Sequence, residues 1–291
     1  MPDRVLVVGW TWQDDTVQLR TWSLADRRYT SRTMSGSVAF RVEPGRHCTG
    51  FHDGRAMRPC PNESEAVRGR QCQTCQLQDA FRPCMTCNGF RCPRLSQKMR
   101  SYCHGTHHLY LACFGAPTLK VGTASHHRRN QRVIEQGPLA AVRIAEADGP
   151  TIKRMEHLLV EAGFTETMRR QRKTVLLQAA MTEAEAREHV GRAVSELHDQ
   201  LPREYHGFLH DPIWVEQPAV AKESRRLAIQ ELRVADDRVV EGNVVGAVGH
   251  LLFVDDGDGC WALDLGELRG RRIEWDPEGP RKRAQAQLGL F

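Results

Sequence analysis

Two CxxC pairs are the residues whose type and spacing point most directly to chemistry in this chain. Cys72 and Cys75 form one pair, and Cys84 and Cys87 form the other. A CxxC turn can place two thiolates on one tetrahedral metal ion, and two further ligands close the site. More cysteines lie in the same stretch, at Cys48, Cys60, Cys92 and Cys103. The stretch thus carries eight of the ten cysteines, which is the number that two four-cysteine sites require.

Sequence order groups these cysteines into two local sets. We predict one structural zinc ion on Cys48, Cys60, Cys72 and Cys75, and a second on Cys84, Cys87, Cys92 and Cys103. Three alternatives stay open: an interleaved pairing, a redox role for the CxxC pairs, and an iron–sulfur cluster. Histidines could also replace some thiolates, the candidates being His47, His52 and His104. Closed four-cysteine sites leave no coordination position for a substrate, so we expect them to stabilise the fold.

The composition is that of an ordinary globular protein. The chain has 291 residues, of which 26% are charged and 40% hydrophobic, with a formal net charge of +5. Its first residues lack a basic segment followed by a long apolar run, so we expect no signal peptide. No apolar stretch is long enough to span a bilayer, which predicts a cytoplasmic protein without a membrane partner. In that reducing compartment a disulfide framework is not expected.

Basic residues are clustered along the sequence. The clusters are Arg128, Arg129 and Arg132; Arg169, Arg170, Arg172 and Lys173; and Arg281, Lys282 and Arg283 near the end. Such clusters suit phosphate backbones, because each neutralised phosphate releases a condensed counterion. We therefore predict that the first two clusters contact nucleic acid, with solvated helix faces as the alternative.

A compact α/β unit follows the cysteines. The pattern predicts strands over Leu109–Phe114 and Leu119–Thr123, and then a short helix over Ser125–Gln136. A third strand over Ala140–Ala145 and a helix over Thr151–Ala162 complete the order β-β-α-β-α. Such a unit would place residues from several elements around one sheet.

Strands are predicted on both sides of this unit. On the N-terminal side, strands are predicted over Val5–Trp10, Thr16–Trp22 and Ser37–Val42. On the C-terminal side, a helix begins at a capping box formed by Thr182 and Glu185, and apolar strands follow this helix. We divide the chain into parts as follows: 1–46, a β-rich segment; 47–107, the cysteine module; 108–180, the α/β domain; 181–203, a helix; 204–276, a β-rich region; and 277–291, a basic flexible tail.

The α/β unit resembles the GIY-YIG nuclease superfamily. His108-Leu109-Tyr110 stands at the GIY position and Lys120-Val121-Gly122 at the YIG position. The resemblance implies that Tyr110 helps to activate water and that Arg132 or Arg129 stabilises the charge of the phosphorane. Lys120 is a further catalytic candidate, because a lysine can hold a phosphate or act as a base when its pKa is lowered. The resemblance also implies that Glu156 binds Mg²⁺. Lysine replaces the second tyrosine, and the asparagine that often follows the glutamate is missing.

The cysteines and the Glu135-Gln136-Gly137 segment resemble a more specific bacterial family, domain-of-unknown-function two-seven-nine-seven. By layout this resemblance covers roughly residues 1–275, and its specific motifs lie within about 48–137. The family name implies a zinc module joined to a GIY-YIG-like core and brings no activity of its own.

The last five residues resemble the bacterial sliding-clamp-binding pentapeptide. They offer Leu288, Leu290 and Phe291 to an apolar groove and Gln287 to its polar rim. The clamp of DNA polymerase is therefore an expected partner, and packing of these residues onto the body of the protein is the alternative.

Together these patterns predict an α+β protein with a GIY-YIG-like core, a two-zinc module and flanking β-rich segments. We expect a metal-dependent endonuclease, or a derivative of one, that acts on DNA in preference to RNA. A zinc-stabilised nucleic-acid-binding adaptor without catalysis is the main alternative, and a protein-interaction scaffold is the third.

Overall fold

The computed structural model describes residues 3–66, 69–91, 95–232 and 234–276. These residues mix strands and helices, so the predicted α+β class is confirmed. The strands are β1 (Asp3–Gln13), β2 (Thr16–Ser23), β3 (Arg28–Thr33), β4 (Gly36–Val42), β5 (Phe51–His52), β6 (Met57–Arg58), β7 (Thr106–Cys113), β8 (Lys120–Ser125), β9 (Ala140–Asp148), β10 (Leu209–Trp214), β11 (Gln230–Leu232), β12 (Val239–Val248), β13 (Leu251–Asp255), β14 (Cys260–Asp264) and β15 (Arg272–Trp275).

Most of the helices lie in the middle of the chain. They are α1 (Gln73–Gln78), α2 (Gln97–Cys103), α3 (Gln131–Ile134), α4 (Gly149–Glu161), α5 (Arg170–Leu176), α6 (Glu183–Ser195), α7 (Leu197–Gln200), α8 (Ala219–Ser224) and α9 (Leu265–Leu268). Short 3₁₀ helices occur at Arg82–Thr86, His126–Arg128 and Arg203–Phe208. No helix in the described ranges combines the length and the apolar character that crossing a membrane would need.

Strands from the two ends of the chain form one large sheet. Within the described residues its order is β11-β14-β13-β12-β4-β15-β1-β2-β3. The C-terminal β15 lies between β4 and β1, and it pairs Ile273 with both Val42 and Val5. Both partners of Ile273 are buried, as is Ile273 itself, so this seam lies in the core. The N-terminal strands β1–β4 and the C-terminal strands β11–β15 are therefore parts of one sheet, whereas β10 belongs to a second, smaller sheet.

The small sheet has the order β10-β9-β7-β8, with β7 in its interior. One face of β7 carries Leu109 and Leu111, which join the same buried cluster as Ile152 and Met155 of α4. The opposite face carries Tyr110, whose partner across the strand pair is Gly122 of β8. Because side chains alternate along a strand, Lys120 and Gly122 share the face of Tyr110. This register brings together β7 and β8, the strands that carry the segments at the GIY and YIG positions.

Two local predictions have different outcomes in this region. The capping box at Thr182 and Glu185 is present at the start of α6 and is confirmed. The continuous helix over Ser125–Gln136 is wrong, because a 3₁₀ turn at His126–Arg128 precedes the separate one-turn helix α3. Histidine and asparagine are weak helix formers, which is consistent with a break at Asn130.

The cysteine region contains few regular elements and packs against α4. Its buried cluster includes Cys48, Cys60 and Cys75 in place of the usual aliphatic residues. Gly89 approaches the first turn of α4 so closely that a side-chain carbon there would lie 2.3 Å from the Pro150 carbonyl oxygen. The Arg154 guanidinium donates to the Gly89 carbonyl oxygen at 2.8 Å. This contact fixes the region against the helix that carries Glu156.

Candidate functional site

Cys48, Cys60, Cys72 and Cys75 come together in one cluster. Their sulfur atoms all lie within 4.8 Å of one another, and the sulfurs of Cys60 and Cys72 are 3.8 Å apart. Zinc–thiolate bonds of about 2.3 Å in a tetrahedron give sulfur–sulfur edges of about 3.8 Å. The cluster could therefore hold a metal ion such as zinc. His47, His52 and His104 lie outside this cluster as it is described.

Hydrogen bonds and burial around these sulfur atoms shift the pKa values of their thiols. Cys72 caps the N-terminus of α1, and its backbone N–H donates to the Cys48 sulfur at 3.2 Å. Burial acts to raise the pKa of Cys72, but hydrogen bonds from the Cys75 backbone and from neighbouring thiols lower it to about 7. Burial raises the pKa of Cys75, the fully buried member of the CxxC turn. A cation would stabilise the thiolate form of both residues.

The second predicted set of cysteines lies beside the α/β sheet. Cys84, Cys87 and Cys103 line one cavity of about 210 Å³, together with Arg128 and Arg132. Cys92 lies outside the described residues, as do Gln287, Leu288, Leu290 and Phe291 of the predicted clamp-binding motif. A second ion and the clamp contact therefore stay predictions.

Tyr110 is held in a closed environment. Its side chain is 2% exposed, and its hydroxyl oxygen accepts a hydrogen bond from the Gln136 side-chain amide. A side-chain carbon at position 122 would lie 2.4 Å from that oxygen, so Gly122 is what allows the ring to lie across β8. Burial raises the pKa of Tyr110, whereas the charge of Arg132 lowers it.

Lys120 and Glu156 are both buried, and each charge acts electrostatically on the other. Lys120 is 8% exposed, and its ammonium donates to the carbonyl oxygens of Val121 and Glu166. Burial lowers the pKa of Lys120 to about 8, against the opposing charge of Glu156. Glu156 is 5% exposed and forms an ion pair with Lys153. Burial raises the pKa of Glu156, and Lys153 and Lys120 act to lower it.

The three arginines of the first basic cluster, Arg128, Arg129 and Arg132, have different contacts. Arg132 lines the cavity beside the cysteines, and its charge acts on both Tyr110 and Lys120. Arg129 instead contacts the His126 imidazole at 3.1 Å, and Arg128 pairs with Glu135 at 2.5 Å. Of the two arginines proposed for catalysis, Arg132 is the one whose charge acts on Tyr110 and Lys120.

The second basic cluster is also divided. Arg169 and Arg172 are exposed, as a phosphate contact would require. Arg170 lies 3.4 Å from the Asp264 carboxylate. Lys173 points inward: its ammonium is 3.3 Å from the Gln136 side-chain oxygen and 4.6 Å from the centre of the Phe114 ring. Burial lowers the pKa of Lys173 to about 7, aided by the charges of Lys120 and Arg132.

Sequence reasoning missed two residues of this site, Gln136 and Lys153. Gln136 lies four residues after Arg132, and Lys153 lies three residues before Glu156, spacings that place side chains on one side of a helical segment. That spacing was the available signal for both. It does not reveal that the Gln136 amide connects Lys173 to Tyr110, because this connection joins distant elements.

Comparisons with known proteins give one informative result. Neither the curated proteins nor the solved structures contain a match to this chain. A family model does match, and it spans residues 37–273, which include the cysteine cluster, the small sheet and most of the large sheet. The chain therefore belongs to the family described as "Protein of unknown function (DUF2797)".

Proposed function

We propose that this protein is a zinc-stabilised, metal-dependent nuclease with a GIY-YIG-like core. The observation that carries the proposal is the convergence of four residues from separate elements. Tyr110, Lys120, Arg132 and Glu156 come from β7, β8, α3 and α4, and the charges of Arg132 and Glu156 act on both Tyr110 and Lys120. Clusters of buried titratable groups with mutually shifted pKa values are typical of functional sites.

The residues have complementary roles in this proposal. Because its pKa is lowered to about 8, a minor fraction of the Lys120 amine is neutral near pH 7, and this neutral form can accept a proton from water. The Arg132 guanidinium, which lines an open cavity, stabilises negative charge that develops on a phosphate. The Tyr110 hydroxyl is positioned by Gln136, and the charge of Arg132 acts on it.

The carboxylates near Lys153 suit Mg²⁺. Glu156 and Glu166 line one cavity of about 330 Å³ with Lys153 and His157. Carboxylate oxygens are the hard donors that Mg²⁺ prefers, and bound Mg²⁺ would polarise a phosphate oxygen and lower the pKa of a water molecule. The Lys153 ammonium forms ion pairs with both carboxylates, so it supplies the compensating charge there.

We also propose that Cys48, Cys60, Cys72 and Cys75 bind structural Zn²⁺. The second ion would bind Cys84, Cys87, Cys92 and Cys103. The first site is supported by its sulfur geometry, and the second by the shared cavity of its described members. Because Gly89 and Phe90 of this region pack on α4, zinc binding would also support the position of Glu156.

Arg132 and Arg129 offer a matched test of the proposed catalytic site. With Mg²⁺ or Mn²⁺ and a panel of duplex, branched and single-stranded nucleic acids, we expect Arg132→Gln to reduce the cleavage rate by about 100- to 1,000-fold. Arg129→Gln removes the same charge three residues away. With protein in saturating excess over substrate, so that a weaker phosphate contact does not limit the rate, this variant should change the rate by about threefold or less. Equal losses in the two variants would contradict the assignment of Arg132.

A non-catalytic adaptor is the second candidate function, and one observation favours it. Tyr110 is 2% exposed and the Lys120 ammonium is satisfied by carbonyl oxygens, which is also how buried structural residues are arranged. An adaptor predicts salt-dependent nucleic-acid binding by the wild type without cleavage of any substrate in the panel.

Recruitment by the sliding clamp is a separate proposal that rests on the terminal residues. Deletion of residues 287–291 removes two leucines and a phenylalanine that would fill an apolar groove. We expect this deletion to abolish binding to purified clamp in a surface plasmon resonance assay, while nucleic-acid cleavage stays unchanged. Unchanged clamp affinity would rule out the motif.

A further inference from the structure

The short helix α3 is attached to strand β1 of the large sheet by side-chain hydrogen bonds. The Gln131 side-chain amide donates to the Thr11 hydroxyl oxygen at 2.6 Å and to the Trp12 carbonyl oxygen at 2.9 Å. The Thr11 hydroxyl in turn donates to the Glu135 carboxylate at 3.0 Å. Thr11 therefore uses both its hydroxyl hydrogen and a lone pair to join α3 to β1. We call Thr11, Gln131 and Glu135 the α3 anchor.

A second contact with the large sheet follows at Gly137. A side-chain carbon at position 137 would lie 2.8 Å from the backbone nitrogen of Gly249, which belongs to the turn between β12 and β13. The Trp12 indole N–H donates to the Gly249 carbonyl oxygen at 2.7 Å, so this turn is itself joined to β1. The large sheet therefore holds the segment 131–137 at both of its ends.

The helix α3 depends on contacts of this kind because of its length. It has four residues, and in the described part of the chain no side-chain hydrogen bond caps its N-terminus at Asn130. The first turn of a helix costs more backbone entropy than its hydrogen bond returns, so such a turn is not stable alone. Val133 contributes apolar contacts, in the same buried cluster as Tyr110. The α3 anchor supplies polar contacts that fix the rotation of the turn.

The anchored segment carries two side chains of the candidate site. Arg132 lines the cavity of about 210 Å³, and the Gln136 amide donates to the Tyr110 hydroxyl oxygen. Arg132 and Gln136 are four residues apart, as are Gln131 and Glu135, so each pair shares one side of the helical segment. The two pairs are offset by one residue, which is a rotation of about 100°. Attachment of one side to β1 therefore sets the direction of the other.

We infer that Thr11, Gln131 and Glu135 are positioning residues, through which the large sheet directs the Arg132 guanidinium into the cavity. The inference rests on the proposed function for the catalytic role of Arg132. It assigns a role to the large sheet, to which none of the four proposed catalytic residues belongs. It also assigns a role to the Glu135-Gln136-Gly137 segment, whose residues contact β1, Tyr110 and the β12–β13 turn in that order.

The variants test the hydroxyl of Thr11 in the full-length, zinc-loaded protein. Thr11→Val removes this hydroxyl and nearly keeps the shape of the side chain, whereas Thr11→Ser keeps the hydroxyl and should behave as the wild type. Thr21→Val is the matched control, because Thr21 is a buried threonine of the same sheet whose hydroxyl bonds to that of Thr30 at 2.7 Å. Thermal melting checks that each variant is folded.

The cleavage test combines Thr11→Val with Arg132→Gln. Misplacement of a catalytic group by about 1 Å can cost about 100-fold, so we expect Thr11→Val alone to lower the single-turnover rate at saturating protein by about 10- to 100-fold. In the Arg132→Gln background it should change the rate by about twofold or less, because the guanidinium that it positions is already missing. Thr21→Val should change the rate by about twofold or less in both backgrounds.

Two results of the cleavage test would overturn the inference. One is an equal loss from Thr11→Val in both backgrounds, because the hydroxyl would then act on the fold in general. The other is an unchanged rate in Thr11→Val alone, because Arg132 would then be positioned without the α3 anchor.

Nuclear magnetic resonance tests the position of Arg132 independently of cleavage. The Nε–H signal of Arg132 is assigned by its absence in Arg132→Gln. We expect Thr11→Val to shift or broaden this signal, and Thr11→Ser and Thr21→Val to leave it at its wild-type position. A signal unchanged by Thr11→Val would overturn the inference even in a protein that cleaves DNA. A shifted signal in a protein that cleaves no substrate would support the α3 anchor and reject the nuclease.

Discussion

Cys75→Ser is expected to release one metal ion per chain and to unfold the region around the cysteine cluster. Cys75 is fully buried, and the other thiols of its site surround it. A serine hydroxyl is a poor zinc ligand, and structural zinc contributes about 10 kcal/mol or more to the folding of zinc-finger peptides. Native proteins are stable by only about 5–15 kcal/mol, so no other contact can replace this contribution.

Mass spectrometry of the metal content and calorimetry of unfolding test this expectation. Cys113→Ser is the control, because Cys113 is also fully buried but lies in the core of the small sheet, away from the cluster. The control should keep its metal content, even if a polar atom in that core lowers its melting temperature. Equal metal content in wild type and Cys75→Ser would contradict the metal site.

Glu156→Gln is expected to abolish Mg²⁺-dependent cleavage and to leave nucleic-acid binding intact. Glutamine keeps the shape of the side chain but removes the negative charge that would bind the cation. Metal-ion catalysis supplies several kcal/mol, so its loss should lower the rate by at least about 100-fold. The measurement is the single-turnover cleavage rate, with binding followed in the same samples.

Glu161→Gln is the control on the same helix. Glu161 is exposed and contacts His157 at 3.4 Å, so its replacement should leave the cleavage rate within about twofold. Glu156→Gln also leaves Lys153 without its nearest carboxylate, and a melting curve checks that the variant remains folded. Cleavage by Glu156→Gln at the wild-type rate would show that this carboxylate does not bind a required ion.

Local patterns predicted the elements around the candidate site. The apolar spacing of Ile152, Met155 and Leu159 located α4, and the capping box located the start of α6. Both features depend on residues within a few positions of one another, so a single sequence contains them. The grouping of Cys48 and Cys60 with the CxxC pair of Cys72 and Cys75 followed from sequence order, which joins the cysteines that are nearest along the chain.

Long-range pairing was not visible in the sequence. The insertion of β15 between β4 and β1 joins residues that are more than two hundred positions apart, and hydrophobic alternation carries no information about which strands pair. The strand β3 lies at an edge of the large sheet and reads RYTSRT, which has no apolar period. A polar composition is typical of an edge strand, but it leaves no hydrophobic alternation from which a strand could be predicted.

The sequence also did not predict which way individual basic side chains point. Lys173 lies in a run of basic residues that indicates an exposed surface, yet its ammonium lies over Phe114 and beside Gln136. This result follows from tertiary packing, which determines whether a charge is solvated, paired or left among like charges.

Cleavage by the wild-type protein is the measurement that tests the central claim most directly. Metal-loaded protein is incubated with duplex, branched and single-stranded DNA and with structured RNA, in Mg²⁺ or in EDTA, and the products are resolved by gel. We expect cleavage of at least one DNA substrate that requires Mg²⁺. Binding without cleavage of any substrate would contradict the nuclease and leave the zinc-stabilised adaptor as the function of this protein.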